Sequence, residues 1–189
     1  MNHIFYQHVQ GWMSFEKLYA AEVAKAKDGA GFIEVGSWLG RSSVFMGEEI
    51  KASGKQIYLH CVDTFEGTGA DYGLYPVVRD GKQYETFLKN IEPVRNIIVP
   101  HKQTSAEFAA TVNSESTDFV FLDAGHTYAD VMADILAWWP KVKPGCHLAG
   151  HDYHYAFGVK KAVDEFCEQA KLNAVIDDQQ DCWIIEKPL

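Results

Sequence analysis

The chain has 189 residues, enough for one domain with a sizeable core. Hydrophobic residues make up 47% and charged residues 23%, which is typical of a globular protein and argues against a disordered or fibrous one. The 17 Lys and Arg residues face 26 Asp and Glu residues, a net charge of −9, and they form no dense basic run. We therefore expect no nucleic-acid partner.

The start of the chain lacks the basic residues and the continuous apolar core of a signal peptide. No segment reaches the ~18 apolar residues of a membrane span. These features predict a cytoplasmic protein without a membrane partner, and they leave a homo-oligomer possible.

Apolar runs alternate with helical patterns along the whole chain, which predicts a single α/β domain over residues 1–189. The order is that of a doubly wound, mostly parallel sheet with helices on both faces. Residues 1–29 are expected to form an N-terminal helical segment, with a helix over 12–27. Further helices are predicted from Arg41 onward and over 129–139 and 159–170.

Seven short apolar segments are predicted to be strands. They cover residues 31–35, 56–62, 97–99, 118–122, 146–149, 174–176 and 182–186. A turn over 143–145 is expected to lead into the fifth strand. The last two segments are close enough in sequence to form an antiparallel hairpin.

Residues 67–80 interrupt this rhythm with three glycines and Pro76, and they predict a long loop. Loops of this length are often lids or binding loops, and a surface excursion is the alternative. In a doubly wound sheet the loop leaves the carboxyl edge of the second strand, where ligands bind. We therefore expect a lid or substrate loop here.

The segment from Phe32 to Ser43 is an apolar strand that ends in an acid and passes through two glycines into a helix. Such a loop presents backbone N–H groups to a ligand, and glycine allows the ligand to approach closely. Glu34 would repel a pyrophosphate placed there, and the spacing of Gly36 and Gly40 does not match G-x-G-x-x-G. These features favour a cationic ligand over a dinucleotide.

Polar residues lie at the carboxyl ends of four successive strands: Glu34, Asp63, Ser105 in the loop after the third strand, and Asp123. In this architecture they converge on one crevice. Asp63 can accept both hydrogen bonds of a ribose diol, a role that suits an adenosine-containing ligand. The alternative for a single Asp at this place is that it caps the following turn.

Four motifs occur in order at these strand ends. They read E-V-G-x-x-x-G-x-S over 34–42, V-D-x-F-E-G over 62–67, F-L-D-x-x-H-x-Y over 121–128 and P-G-x-x-x-x-x-H-D-Y over 144–153. Together they resemble class I S-adenosylmethionine-dependent methyltransferases. The resemblance is to the small-molecule group of macrocin-type O-methyltransferases and cephalosporin-hydroxylase-like proteins. Cys146 departs from the usual second glycine of the last motif.

This resemblance implies a Rossmann-like, seven-stranded sheet with a C-terminal antiparallel hairpin, and S-adenosylmethionine as cofactor. Glu34 would bind the ammonium of the methionine moiety, and Asp63 would hold the ribose. Gly36 and Gly40 would let the cofactor lie against the backbone. The remaining residues that we predict at the cofactor are Ser37, Trp38, Ser42, Thr64, Phe65, Ser105, Ala106 and Asp123.

For removal of the acceptor's proton, the candidates are Asp123, His126, His151 and Asp152. Of these, Asp123, His151 and Asp152 follow neighbouring strands, and we predict that they carry the chemistry. His151 and Asp152 are the predicted catalytic residues, with His151 as a general base. The three residues could instead hold a divalent metal that lowers the pKa of a bound hydroxyl. Carboxylates suit Mg²⁺, whereas an imidazole favours a softer transition metal. A structural role for the histidine is the remaining alternative.

The predicted activity is S-adenosylmethionine-dependent O-methylation of a small hydroxylated acceptor, with metal or histidine assistance. Two alternatives come from other classes of protein. One is a nucleotide-linked oxidoreductase, against which Glu34 and the glycine spacing argue. The other is a non-catalytic module that only binds S-adenosylmethionine.

Overall fold

A computed structural model describes residues 5–189, except for the side chains of residues 69, 70 and 72. Residues 1–4 of the expected N-terminal segment lie outside the described part of the chain. One seven-stranded sheet runs through the molecule in the order β3-β2-β1-β4-β5-β7-β6. Its strands are β1 (Ala30–Val35), β2 (Ile57–Asp63), β3 (Ile98–Lys102), β4 (Thr117–Leu122), β5 (Val142–Gly150), β6 (Ala174–Asp177) and β7 (Cys182–Glu186).

Strands β1 to β5 pair in parallel, and β7 pairs antiparallel with both β5 and β6. The predicted doubly wound sheet with a C-terminal antiparallel hairpin is therefore confirmed. The helices are α1 (Glu16–Lys25), α2 (Arg41–Ser53), α3 (Gly69–Leu74), α4 (Pro76–Arg79), α5 (Gln83–Asn90), α6 (Ser105–Thr111), α7 (Tyr128–Trp138) and α8 (Phe157–Ala170). Short 3-10 turns cover Tyr6–His8, Glu92–Val94 and Trp139–Lys141. None of the helices in the described residues has the length and apolarity to cross a bilayer.

The central strands bury both faces, which explains their nearly continuous apolar sequences. In β4, Phe119 and Phe121 face a core shared with α1 and α2, whereas Val120 and Leu122 face a second core shared with α7 and α8. The alternation follows from the two-residue period of a strand. Because the sheet is covered on both sides, its carboxyl edge is the open place at which loops can meet.

The N-terminal helix is shorter than the predicted 12–27, since α1 begins at Glu16 and ends at Lys25. The residues before it make tertiary contacts instead of helical ones. Ser14 hydrogen-bonds His151, and Phe15 is buried with its ring 5.0 Å from the His151 ring. The predicted helix start at residue 12 is therefore wrong, because α1 begins only at Glu16.

The predicted loop over 67–80 contains two short helices, α3 and α4. Thr68 and Asp71 form a capping box that starts α3, and Pro76 occupies the first turn of α4. Both are local start signals that suit short helices. The prediction of an unstructured loop was wrong, and its role as a lid stays a prediction.

Strand β5 begins at Val142, four residues before the predicted start. The expected turn over 143–145 lies inside the strand as an irregularity, where the pairing shifts from Thr117–Val142 to Phe119–His147. The Gly145 N–H bonds the carbonyl of Lys187 at 2.7 Å, so a neighbouring segment supplies the partner that keeps these residues in the sheet.

Backbone hydrogen bonds continue past the strand ends and bring three of the predicted site segments together. Gly36 N–H donates to the Val62 carbonyl at 2.9 Å, and Asp123 N–H donates to that of Val35 at 2.8 Å. His151 N–H donates to the Leu122 carbonyl at 3.2 Å. The loops after β1, β4 and β5 therefore lie side by side along the carboxyl edge.

Gly36 is required by this close approach. Its φ is +87°, and a Cβ added there would lie 2.0 Å from the backbone oxygen of Asp123. Gly54 has a similar φ of +70° but nothing within 4 Å of such a Cβ. A side chain at Gly54 would therefore meet only backbone strain, whereas one at Gly36 would also clash with neighbouring atoms.

We expect Gly36→Ala to destabilise the protein far more than Gly54→Ala does. The Gly54 change should cost about 1 kcal/mol of unfolding free energy, since it adds only the left-handed strain. Gly36→Ala adds a clash with main chain that cannot move aside. Urea denaturation of both variants tests this, and equal losses would contradict the assigned contact.

Candidate active site

Glu34 lies at the end of β1 with 1% of its surface exposed. Its Oε1 accepts a hydrogen bond from the Tyr19 hydroxyl at 3.0 Å, and its Oε2 accepts one from Ser37 at 2.9 Å and another from Ser43. Burial raises the pKa of Glu34, and the hydroxyls of Ser43, Ser42, Ser37 and Tyr19 oppose that rise. The carboxylate is thus a buried acceptor surrounded by hydroxyl donors.

These contacts bear on two predicted cofactor residues. Ser37 and Ser42 are themselves buried and interact with Glu34 through their side chains. Direct binding of an ammonium by Glu34 stays a prediction, and it would require one of the present hydroxyls to give way. In this structure Glu34 holds α1, the glycine loop and α2 together.

Asp63 ends β2 and binds the glycine loop through backbone amides. Its Oδ2 accepts from Ser37 N–H and Trp38 N–H, both at 2.9 Å, and its Oδ1 accepts from Phe65 N–H at 2.7 Å. Burial raises the pKa of Asp63, whereas these three hydrogen bonds lower it. A carboxylate oxygen has two lone pairs, so Oδ1 keeps one place for a further donor such as a ribose hydroxyl.

The other predicted cofactor residues lie in different surroundings. Phe65 has its ring in the core, 4.8 Å from the rings of Tyr84 and Phe87, so only its backbone borders the edge. A cofactor contact of Phe65 therefore stays a prediction, and it would involve the backbone of this residue. Thr64 is half-buried and Ala106 is exposed. The Ser105 hydroxyl accepts from the Trp138 indole at 2.9 Å, which ties the start of α6 to α7.

Asp123, His151 and Asp152 meet at the carboxyl edge as predicted from the strand order. His151 Nδ1 lies 3.1 Å from Asp152 Oδ1 and 3.9 Å from Asp123 Oδ1. His126 joins them, with Nε2 at 2.8 Å from Asp152 Oδ2 and 3.7 Å from Asp123 Oδ1. Two imidazoles and two carboxylates therefore form one cluster.

The second nitrogen of His151 contacts the N-terminal segment. Its Nε2 lies 2.8 Å from the Ser14 hydroxyl, which also lies 2.9 Å from the Gln180 carbonyl. A hydroxyl is both donor and acceptor. Ser14 can accept from a charged imidazole while donating to Gln180, or donate to a neutral one, so it supports His151 in both protonation states.

The cluster shifts the pKa values of His126, His151 and Asp152. Hydrogen bonds to Asp123 and Asp152 raise the pKa of His126 to about 10, against a lowering by burial. Burial lowers the pKa of His151, but Asp152, Asp123 and Asp181 outweigh it and the net shift is upward. For Asp152, burial acts to raise the pKa, and both histidines together bring it well below its usual range.

Two overlapping groups in the described residues have the donor atoms of a metal site. Asp123, His126 and Asp152 form one, and His151, Asp152 and Asp181 form the other, each with ligand atoms within 4.8 Å of one another. Oxygen and imidazole donors of this kind suit Mn²⁺, Zn²⁺ or a similar ion as well as Mg²⁺. The predicted metal set is thus divided between the two groups: Asp123 belongs to the first, His151 to the second, and Asp152 to both.

Non-glycine residues with positive φ concentrate at the same edge. Trp38 (+48°), Phe65 (+55°), Asp152 (+60°) and Asp181 (+53°) all follow or face the ends of the strands. Such backbone conformations cost free energy and gather at functional sites. The edge therefore combines strain, buried carboxylates and paired histidines.

Sequence reasoning missed Ser14, Tyr19 and Asp181 as members of this edge. It named His126 as a candidate for proton removal but placed it in neither the catalytic nor the metal set. Ser14 lies 137 positions from His151, so no local pattern could connect them. His126 had one available signal, its place in the F-L-D-x-x-H-x-Y motif three residues after Asp123.

We expect Glu34→Ala to lower the free energy of unfolding by about 2–4 kcal/mol, because it leaves three buried hydroxyls without their acceptor. Glu34→Gln keeps one acceptor oxygen and the side-chain volume, and it should lose less. Chemical denaturation of both variants measures the difference. Equal losses would show that the carboxylate does not organise these hydroxyls.

Without added metal, His126→Ala should be most destabilising at low pH. A histidine whose folded pKa is raised stabilises fully below its ordinary value of 6.5, and that contribution disappears as the pH rises through about 10. Unfolding free energies measured in EDTA from pH 6 to 10 test this. His8→Ala, at an exposed histidine, is the control, and a pH-independent effect of His126→Ala would contradict the pairing.

With this geometry established, comparisons with known proteins identify the family. A family model described as a methyltransferase domain matches residues 33–153, which include the glycine loop, Asp63, Asp123, His151 and Asp152. No curated protein sequence gives a significant match.

Solved structures share the fold at low sequence identity. The O-methyltransferase NovP superposes with a TM-score of 0.70 at 17% identity, covering 93% of this chain and 80% of NovP. The cofactor-bound Rv0187 protein from MTB gives 0.65 at 12% identity, covering 96% and 84%. A Corynebacterium glutamicum protein gives 0.64 at 14% identity, also covering 96% and 84%. The family match spans well over half of the chain, and the chain therefore belongs to the methyltransferase-domain family, with the fold of the class I S-adenosylmethionine-dependent methyltransferases.

Proposed function

We propose that this methyltransferase transfers the methyl group of S-adenosylmethionine to a hydroxyl of a small molecule. The observation that carries the proposal is the His151–Asp152 pair, 3.1 Å apart, beside Asp123 and next to the glycine loop. The structural likeness to NovP, described as an O-methyltransferase, supports the choice of oxygen. The family match favours methyl transfer over the nucleotide-linked oxidoreductase alternative.

The residues present fit this cofactor. Asp63 accepts one backbone hydrogen bond at Oδ1 and keeps a second acceptor place there for a ribose hydroxyl. The acidic edge favours a cationic ligand, because Asp63, Asp123 and Asp152 concentrate negative charge there. S-adenosylmethionine, when bound, supplies an activated methyl on a positively charged sulfur.

The protein's own task is to align the acceptor and remove its proton. His151 would accept that proton at Nε2, at the position where the Ser14 hydroxyl now lies 2.8 Å away. Asp152 holds Nδ1 and stabilises the resulting imidazolium. The cofactor, which we expect the glycine loop and Asp63 to hold, would supply its methyl group to the deprotonated oxygen, and its sulfonium would become a neutral thioether.

A divalent cation is a second form of assistance that the donor set supports. Asp123 and Asp152 would hold it, with His126 or His151 as the nitrogen ligand. Its chemistry there would be to lower the pKa of the acceptor hydroxyl. The acidic edge and the two imidazoles accommodate either mode.

We expect His151→Ala and Asp152→Asn to bind S-adenosylmethionine with a dissociation constant within about threefold of the wild type, but to lose at least tenfold in turnover. Asp63→Ala should instead lose cofactor binding, since it releases the loop and the ribose acceptor. Isothermal titration and release of S-adenosylhomocysteine measure the two steps. Cofactor binding without turnover by the wild type would favour the non-catalytic binding module.

The same assay separates the two forms of assistance. EDTA should abolish turnover, and Mg²⁺ or Mn²⁺ should restore it, if a metal activates the hydroxyl. Turnover that survives EDTA but not His151→Ala would assign the proton to the histidine alone. Unchanged turnover in both His151→Ala and Asp152→Asn would refute the catalytic assignment.

A further inference from the structure

Three aromatic side chains from separate segments contact one another beside the glycine loop. We call Trp12, Trp38 and Tyr75 the aromatic platform. The Trp12 ring lies 6.1 Å from that of Trp38 and 5.9 Å from that of Tyr75, and Trp38 lies 5.1 Å from Tyr75. The tilted and edge-on arrangements are those that aromatic rings prefer.

Each member is tied to the proposed active site. Trp38 belongs to the glycine loop, and its backbone N–H donates to the Asp63 carboxylate at 2.9 Å. Tyr75 joins α3 to α4 in the segment after β2. Trp12 precedes Ser14 by two residues, and Ser14 bonds His151 at 2.8 Å. The platform therefore lies beside the crevice between the loop and the proposed base.

The platform has surface and polarity left for a ligand. Trp12 is a large hydrophobic side chain but is 66% exposed, and Leu74, next to Tyr75 in the sequence, is 69% exposed. Trp38 Nε1 is buried and has no hydrogen-bond partner among the described residues. An exposed indole face next to an unpartnered indole N–H suits a planar ligand that carries an acceptor atom.

Charges of both signs lie around the platform. Asp63 accepts a hydrogen bond from the Trp38 backbone N–H at 2.9 Å. The Arg41 side chain and the Trp38 ring both lie within 4 Å of a Cβ added at Gly11, the residue before Trp12. Selection of the acceptor therefore rests on the aromatic contacts and not on charge.

We propose that the aromatic platform binds the methyl acceptor and that this acceptor is an aromatic alcohol of the phenol class. The inference rests on the proposed function, because it takes the acceptor to be a hydroxyl compound. One ring face of the acceptor stacks on Trp12, which directs its hydroxyl toward His151. Trp12 is then a determinant of acceptor specificity and has no part in binding the cofactor.

The test compares 2-naphthol with decahydro-2-naphthol, which has the same ring skeleton without aromaticity. In protein saturated with S-adenosylhomocysteine, titration followed by NMR should show 2-naphthol binding at least tenfold more tightly. Trp12→Ala should weaken that binding about tenfold, and Trp12→Phe should recover most of it. The dissociation constant of S-adenosylmethionine should stay within about twofold in both variants.

Tyr58→Ala is the matched control, because Tyr58 is 53% exposed but lies at the amino end of β2, on the opposite edge of the sheet. It should leave 2-naphthol binding unchanged. Equal binding of the two alcohols, or an effect of Tyr58→Ala as large as that of Trp12→Ala, would overturn the inference.

The two proposals fail in different ways. If the protein binds S-adenosylmethionine and methylates an aliphatic alcohol in preference to an aromatic one, methyl transfer to oxygen stands and the platform does not select the acceptor. If the protein binds 2-naphthol through Trp12 but transfers no methyl to any hydroxyl, the platform is a binding site and the proposed function is refuted.

Discussion

The buried carboxylate of Glu34 is the interaction on which the rest of the site depends. Its two oxygens hold hydroxyls from α1, the glycine loop and α2. A buried carboxylate is costly unless it is hydrogen-bonded, so these three elements are held together at the end of β1. Asp63 binds the same loop from β2 through backbone amides. The loop is therefore positioned by two carboxylates, which makes its shape a property of the fold.

The N-terminal segment is part of the site and not an addition to it. Its Trp12 contacts the glycine loop, and its Ser14 contacts the histidine after β5. The segment thus connects the place proposed for the cofactor with the place proposed for proton removal. The side chains of Trp12, Ser14 and Phe15 make tertiary contacts before α1 begins at Glu16.

Negative charge is the second organising feature of the edge. Asp123, Asp152 and Asp181 meet there, and the carboxylates raise the pKa values of His126 and His151. The backbone is strained at Asp152 and Asp181, with φ near +60° and +53°. A cluster of this kind stabilises positive charge, whether that of an imidazolium, a metal ion or a sulfonium. The same electrostatics would therefore serve both the binding of the cofactor and the proposed proton transfer.

The sequence by itself determined the α/β fold, the strand at which each motif ends and the meeting of Asp123, His151 and Asp152. Apolar periodicity and glycine-acid loops are local properties, and each predicted strand overlaps an observed one. Tertiary structure alone decided which of these side chains are accessible to a ligand and which are occupied by other side chains. Glu34 is enclosed by hydroxyls, the Phe65 ring is packed in the core, and Ser14 reaches His151 across 137 positions. Contacts between segments so distant leave no pattern in the sequence, because only the folded chain brings their side chains within bonding distance.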